Sequence, residues 1–416
     1  MNSIAAKRAK DKRITNDILK IGVEARKACE TNNEAVNATV GMLYEDDTSF
    51  TYFDSVLKIS NNLKPIQYLP YTSTPGGDDF TEAIAKWSFR QHYNFYKDNI
   101  FYAVSATPGG SGAISSTIAN YLDENDDFLV PKVYWDPYLI MAREQNVNLK
   151  TYNLFDSDGN FDLDDFEKCV DNAAISQEKI LILINDPCQN PTGYTLKQSE
   201  WERVIKILNV HAEKGIPTTL LYDMAYIDYH KDGLDASRMP FDVFKSAHQD
   251  LLIICAFSGS KTLSFYGIRI GAMLAISKNE EIISEFKRII SFSSRGRWSS
   301  TSHLGIRTIV ELVNDEVAKK EFEYELERAV KLLSKRGEIF VKEASECGLE
   351  TLPYKSGFFI TLPNCSHEVF EALMENHIYT IPLPGNLVRF AVSSIPTELV
   401  YGLAAKVKRI KDEVNK

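Results

Sequence analysis

The chain lacks a surplus of positive charge, a long apolar run and any metal-binding spacing of its histidines and cysteines. It carries 47 Lys and Arg against 57 Asp and Glu, a formal net charge of -10. That balance argues against a protein that draws nucleic acid by neutralising phosphates. No run approaches the ~18 consecutive apolar residues of a membrane span. The N-terminal stretch MNSIAAKRAKDKRITND has no apolar h-region, so it is not a secretory signal. It is basic, yet Asp11 and Asp17 speak against a mitochondrial presequence, and it reads as a frayed surface segment. Six scattered cysteines include no CxxC pair, and the seven histidines include no HExxH; no metal is expected. Cys255 sits inside LLIICAF as a buried apolar residue, and such cysteine usage suits a reducing cytoplasm. Low-complexity segments, repeats and a GxGxxG dinucleotide fingerprint are also missing. The tetrapeptide TPGG occurs at Thr74–Gly77 and Thr107–Gly110 with different flanks, which reads as two local turns.

What is present is a globular composition, 44% hydrophobic and 25% charged over 416 residues, enough for two associated domains around a large core. TNDILKIGVEARKACET, residues 15–31, suggests a helix, and an irregular stretch follows. From about residue 78 strands and helices alternate. NIFYAVSA, DFLVPKV, NLKTYNL, KILILIND, TTLLYD, LLIICAF and IRIGAMLAIS read as strands, and several are apolar throughout, as strands covered on both faces are. SGAISSTIANYL, FDLDDFEKCVDNA and KQSEWERVIKILNVHAEKG read as helices. In the last, Trp201, Val204, Ile205 and Leu208 share one face and Gly215 is a natural C-cap. The fold class is therefore α/β, a mostly parallel sheet with helices outside. After about residue 310 a long charged helix or helix pair, short strands (GFFITL, LVRFAVS) and a terminal helix PTELVYGLAAKVKRIKDEV indicate a smaller α+β domain. The expected division is residues 1–48 as an N-terminal segment of the small domain, 49–310 as the large domain and 311–416 as the C-terminal small domain.

Four places carry chemistry. TPGGSGA is a glycine-rich turn between strand and helix, which is either a phosphate cradle or a plain α/β connection. NDPCQNPTGYTL follows a buried strand, where such sheets place ligands. In LLYDMAYIDY, Asp223 ends an apolar strand, either as a helix cap or as the partner of a cationic ligand nitrogen. In AFSGSKTLSFYGIRIG, Lys261 ends another strand. A desolvated lysine there is a nucleophile for carbonyls, while Ser258, Ser260 and Arg269 can hold a phosphate. An amine, a partner for a pyridinium nitrogen and phosphate donors are the parts that bind pyridoxal 5'-phosphate.

With these residues in this order, the chain resembles the class I/II aminotransferases, the aspartate aminotransferase-like group of fold type I pyridoxal-phosphate enzymes. The resemblance runs from about Val40–Gly41 to Arg389 through TPGGSGA, VYWDPY, NPTG, DMAY, SGSK, GIRIG and LVRFAVS. It implies the seven-stranded type of sheet. It also implies an amino group moved from an L-amino acid of aspartate or aromatic type to a 2-oxo acid such as 2-oxoglutarate, by a ping-pong mechanism. Lys261 is implied as the lysine that bonds the cofactor and shuttles the proton, and Asp223 as the partner of the pyridinium nitrogen. Tyr226 and Asn190 would bond the phenolic oxygen, Trp135 would stack on the ring, and Gly110, Ser111, Ser258 and Arg269 would grip the phosphate. Tyr68 is similar to the tyrosine that reaches the neighbouring subunit's phosphate, implying a homodimer with shared sites. Arg389 is implied as the clamp for the α-carboxylate, with Asn190 and Gly41 on the substrate side.

One departure concerns specificity. Aspartate-specific members supply a second arginine from the partner subunit before an aromatic-Ser-Asn-Pro-Pro stretch, and here the aligned positions Ile289–Ser291 hold none. Arg295 and Arg297 lie a few residues later, as carboxylate readers or surface charges. Phe358 and Phe359 either line an apolar side-chain pocket or belong to the core. A lyase on the same scaffold is the first rival. A non-catalytic regulator is the second, disfavoured because fewer than about 50 residues precede the fold and the chain is acidic.

Overall fold

Strands with no polar face need cover on both sides, and such strands form the centre of the molecule. A computed structural model describes residues 4–6, 9–10, 12–13 and 18–416. Its strands are β1 (Val36–Asn37), β2 (Phe101–Thr107), β3 (Asp127–Pro131), β4 (Asn148–Tyr152), β5 (Ile180–Asn185), β6 (Thr218–Asp223), β7 (Leu251–Ser258), β8 (Gly271–Ser277), β9 (Phe359–Leu362), β10 (Ile378–Tyr379), β11 (Ile381–Leu383) and β12 (Leu387–Ala391). Seven of them form one sheet in the order β2-β8-β7-β6-β5-β3-β4. Its neighbours run parallel except where β8 meets β2 and β7. Side chains alternate across it. Ile180, Ile182 and Ile184 of β5 face one buried cluster, and Leu181 and Leu183 face the other. Likewise Ile253, Cys255 and Phe257 of β7 join the first cluster, and Leu252, Ile254 and Ala256 the second.

The expected helices cover this sheet. Gln198–Glu213 buries Trp201, Val204, Ile205 and Leu208, and Gly215 closes it at φ 78°. Both TPGG turns open into helices, Asp78–Phe89 and Gly109–Tyr121. Because β5, β6 and β7 are parallel and in register, Asn185, Asp223 and Ser258 emerge together at one edge, the carboxyl edge of the sheet.

A second region is built from both ends of the chain. β12 lies between β11 and β9 in an antiparallel sheet, and β1 pairs in parallel with β10, Val36 opposite Ile378. Arg336 fastens the N-terminal segment to it. Its guanidinium donates to the carbonyls of Tyr44 and Ser393 and to the carboxylate of Asp46. Arg336 stands on a single 32-residue helix, Glu316–Cys347, capped by Asp315 at one end and by Gly348 in the left-handed conformation at the other.

Three expectations need correction. The terminal helix is two pieces, Thr397–Val400 and Leu403–Val414, because Gly402 between them takes φ 74°. The stretch IRIGAMLAIS becomes strand only at Gly271, because Arg269 takes φ 57°, which no strand accommodates. The irregular segment after the first helix contains β1. That first helix is Ile18–Thr31; Asp11 and residues 15–17 of the expected N-terminal elements lie outside the described residues.

Candidate active site

At the carboxyl edge, the chain leaves β7 into a single turn, Gly259–Thr262, that carries Lys261. The turn is held from both sides. The carbonyl of Lys261 accepts from the Tyr229 hydroxyl at 2.9 Å. Thr262 donates its hydroxyl to Asp228 at 2.6 Å. Asp228 is wholly buried and also receives Trp87 Nε1 at 3.2 Å and Arg238 Nη2 at 2.6 Å. A buried ion pair stands only if its remaining polar atoms are met, and here the carboxylate is met by an indole, a hydroxyl and a guanidinium. Lys261 thus sits on a turn anchored to the interior beside the seven-stranded sheet.

The Lys261 amine donates to the carbonyl of Gly41 at 2.5 Å. The rings of Tyr266, Tyr226 and Phe358 lie 4.9, 5.2 and 5.4 Å from its Nζ. Gly41 is a glycine for steric reasons: a Cβ there would lie 2.5 Å from the ring of Phe359. Burial first, then the guanidinium charges of Arg389 and Arg269, lower the Lys261 pKa from 10.5 to about 7. A lysine neutral above about pH 7 attacks carbonyls where an ordinary one is protonated. The rate at which the apoprotein takes up an aldehyde cofactor, followed by absorbance, is therefore expected to rise with pH through about 7 and then flatten. A rise continuing toward the ordinary value of 10.5 would contradict this placement of the amine.

Next to Lys261 a cavity of about 180 Å³ brings together Gly110, Ser111, Trp135, Asn190, Asp223, Tyr226, Ser258 and Arg269. Asp223 is buried and pushed up to about 6 by desolvation, opposed by hydrogen bonds from the Tyr138 hydroxyl and the Ala225 N–H. Those bonds are 2.5 and 3.1 Å long. A buried carboxylate to which, among the described residues, no basic side chain is bonded is a seat for a cation brought in by a ligand. The other end of the cavity suits an anion. The positive φ of Arg269 turns its guanidinium back over the glycine turn, where a Cβ on Gly109 would lie 2.7 Å from Nη2. Nη1 donates to Ser260 Oγ at 2.7 Å. Gly110 and Ser111 open the helix Gly109–Tyr121, whose first N–H groups lack partners within the helix. The close approach also requires glycine at the start of β8, since a Cβ on Gly271 would lie 2.5 Å from the backbone of Gly109.

A second cavity, about 290 Å³, shares Trp135, Asn190, Tyr226 and Lys261 with the first and adds Gly41, Phe359 and Arg389. Arg389 comes from β12 and is buried beside the ring of Phe359, 4.4 Å from its centroid. Its Nη2 donates to the Thr39 carbonyl at 2.9 Å and its Nη1 to Asn190 Oδ1 at 3.3 Å. Nε is buried with no partner among the described residues, an unmet donor on a residue that lines the cavity. Burial lowers its pKa to about 10, leaving it charged at neutral pH. Asn190 is itself placed by its backbone N–H, which donates to Asn185 Oδ1 at 2.7 Å. Burial raises the pKa of the Tyr226 hydroxyl, and the Asn190 side chain facing it lowers that pKa slightly.

The expected residues thus converge, with exceptions. Tyr68, on the short helix Pro65–Tyr68, lines neither cavity. Arg295 and Arg297 also line neither. Arg295 donates to Ser299 Oγ at 2.9 Å, and Arg297 to Ser115 and to Gln145. Phe359 lines the second cavity, while Phe358 is core beside Lys261. Tyr138, Asn185, Thr39 and Tyr266 were not singled out by the sequence. Tyr138 lies in VYWDPY, but nothing in that string says that its hydroxyl meets Asp223. The donor set fits a cofactor with an aldehyde, a cationic ring nitrogen and a phosphate: an amine with lowered pKa, a buried carboxylate and a guanidinium with serines.

Comparison with known proteins agrees with that fit. The family model described as aminotransferase class I and II matches residues 43–407. A tyrosine aminotransferase of Klebsiella pneumoniae is 24% identical over 303 residues, covering 72% of this chain and 73% of the relative. An aspartate aminotransferase of Haemophilus influenzae is 23% identical over 325 residues, covering 77% and 79%. The solved structure of an aminotransferase from Anaerococcus prevotii superposes over 100% of both chains with a TM-score of 0.93 and 32% identity.

Proposed function

The chain belongs to the class I and II aminotransferases, and from that premise we propose how its own residues divide the work. It is an enzyme that uses pyridoxal 5'-phosphate to move an amino group from an amino acid to a 2-oxo acid. The observation that carries the assignment of roles is the meeting of Lys261, Asp223 and Arg269 in one cavity that shares Lys261 and Asn190 with the one holding Arg389. When bound, the cofactor supplies an aldehyde for the amino group and an electron-poor ring that stabilises charge left at the substrate's Cα. Asp223 would hold the proton on the ring nitrogen. Asn190 and Tyr226 would bond the phenolic oxygen, and Trp135 would cover the ring. Gly110 and Ser111 would offer backbone N–H groups to the phosphate, joined by Ser258 and Arg269. Arg389 binds the substrate's α-carboxylate with its free guanidinium edge and so fixes the orientation of Cα. Lys261 Nζ takes the proton from Cα and holds it for return, a task for which a pKa of about 7 suits an amine at neutral pH.

Tyr68 fits a role in a neighbouring molecule. It stands among the exposed apolar residues Ile66, Leu69 and Tyr71, which are 75%, 73% and 94% exposed. A second copy of this chain covering them would bring Tyr68 toward that copy's phosphate site, making the active unit a homodimer. The free, buried Cys188, Cys255 and Cys365 support a reducing compartment, read here as the cytoplasm. The amino donor is of aspartate or aromatic type and the acceptor is 2-oxoglutarate or a related acid.

The test is a panel of amino donors with 2-oxoglutarate and added cofactor, scored for glutamate and the matching 2-oxo acid. Transfer with parallel double-reciprocal lines is expected, as two half-reactions on one enzyme require. Release of pyruvate and ammonia from a cysteine-like donor, without transfer, would assign the site to elimination instead.

A further inference from the structure

We infer that Arg26 receives the second carboxylate of a dicarboxylic substrate, from within the same chain; the inference rests on the transaminase reading of the two cavities. Arg26 stands on the helix Ile18–Thr31 and lines the cavity that holds Lys261 and Arg389. Gly22, one turn earlier, lines it too. A Cβ on Gly22 would lie 3.5 Å from Thr39 Oγ1 and 3.9 Å from Arg26 Nη1. Those are ordinary contact distances, so this turn of the helix packs against Thr39 with the Arg26 guanidinium beside it. Thr39 is the residue whose carbonyl accepts Arg389 Nη2 at 2.9 Å. Arg26, Thr39 and Arg389 line the same cavity, with Arg389 buried and Arg26 exposed.

Arg389 is committed to the α-carboxylate, and Lys261 is lowered toward neutrality by its surroundings. That leaves Arg26 as the remaining cation on the cavity wall. Among the described residues no carboxylate pairs with it, so its fork of donors is unspent. The stretch of wall it shares with Arg389 includes Val40, Met42, Ile381 and Leu383, apolar surface suited to the methylenes of a short acidic side chain. The carboxylate of Asp136 lines the same cavity and attracts Arg389. It repels any anion beside it, which favours the Arg26 side for a second carboxylate. Arg295 and Arg297 line neither cavity of this chain, so they compete for this role only if a partner subunit delivers them.

The experiment compares the holoenzyme with its Arg26→Ala and Arg26→Lys variants on two substrate pairs, L-glutamate with 2-oxoglutarate and L-alanine with pyruvate, each read as exchange of isotopic label from amino acid to oxo acid because neither pair gives net turnover. For Arg26→Ala, the ratio of kcat/KM for the dicarboxylic pair to that for the monocarboxylic pair is expected to fall roughly tenfold, as losing one charge-assisted hydrogen bond at an exposed position predicts. The loss should lie in KM, shrink at high salt and be partly restored in Arg26→Lys. Equal losses on both pairs would mean that Arg26 only supports the helix, and an unchanged ratio would remove it from the site. A ratio that instead collapses in Arg295→Ala or Arg297→Ala would assign the second carboxylate to that residue. A wild type that exchanges amino groups only with monocarboxylic or aromatic partners overturns the inference and leaves the transaminase reading standing. One that exchanges none overturns that reading, and the inference with it.

Discussion

Lys261→Ala is expected to lower kcat by more than about 10⁴-fold, because one side chain both bonds the cofactor and moves the Cα proton. No neighbour can replace it. The groups whose rings surround its Nζ are Tyr226, Tyr266 and Phe358. Burial raises the pKa of both tyrosines, so neither is a base at neutral pH. The variant should fold. Removing an amine whose charged form is disfavoured by burial relieves a desolvation penalty, and the carbonyl of residue 261 still accepts from Tyr229. Two measurements check this: steady-state turnover, and the mass of the protein after borohydride treatment in the presence of cofactor. The wild type should gain the cofactor's mass and Lys261→Ala should not. A variant that kept full turnover would remove Lys261 from the chemistry.

Asp223→Asn is expected to reduce kcat/KM by about 10²- to 10³-fold, the loss that follows when one member of a buried charge pair is replaced by a neutral group. The amide keeps the shape of the carboxylate. One of its two acceptor positions becomes a donor, which the Tyr138 hydroxyl oxygen can accept, so the fold is expected to survive. What is lost is the preference for a protonated ring nitrogen. The sign of its pH dependence is fixed by the same environment. Desolvation lifts Asp223 to about 6, and a cation bonded to it would draw that value back down. Without the ring, Asp223 protonates as pH falls through about 6, so cofactor affinity is expected to weaken there in the wild type and much less in Asp223→Asn. Titration of apoprotein with cofactor across that range measures both.

The strands of the large sheet were legible because they are apolar on both faces, a pattern that surface loops do not imitate. The lysine, the carboxylate and the glycine turn were legible because each interrupts such a strand at its end. Contacts made across the sheet edge were not. Tyr138 reaches Asp223 over 85 residues of sequence, and Arg26 reaches the substrate cavity from a helix that reads as a plain amphipathic segment. Neither has a local signature, since each depends on where another element is delivered. The kink at Arg269 was hidden for a different reason. Isoleucines on both sides of it promise a strand, and only the close packing of Gly271 on Gly109 shows that the chain must turn there first.

The pairing of β1 with β10 bears on how the enzyme is made. A chain leaves the ribosome N-terminus first, so Thr39 and Gly41 are in the open long before the strands that complete their cavity have been translated. Their partners, Ile378 opposite Val36 and Arg389 on the carbonyl of Thr39, come from the far end of the chain. The cofactor cavity, formed by residues 110–269, has all its protein groups earlier. A nascent chain arrested before Ile378 would therefore already carry Lys261 and the phosphate cradle, yet lack Arg389, the group assigned to the α-carboxylate. On this account cofactor capture can precede substrate binding during synthesis, and the last segment to emerge is the one that grips the α-carboxylate.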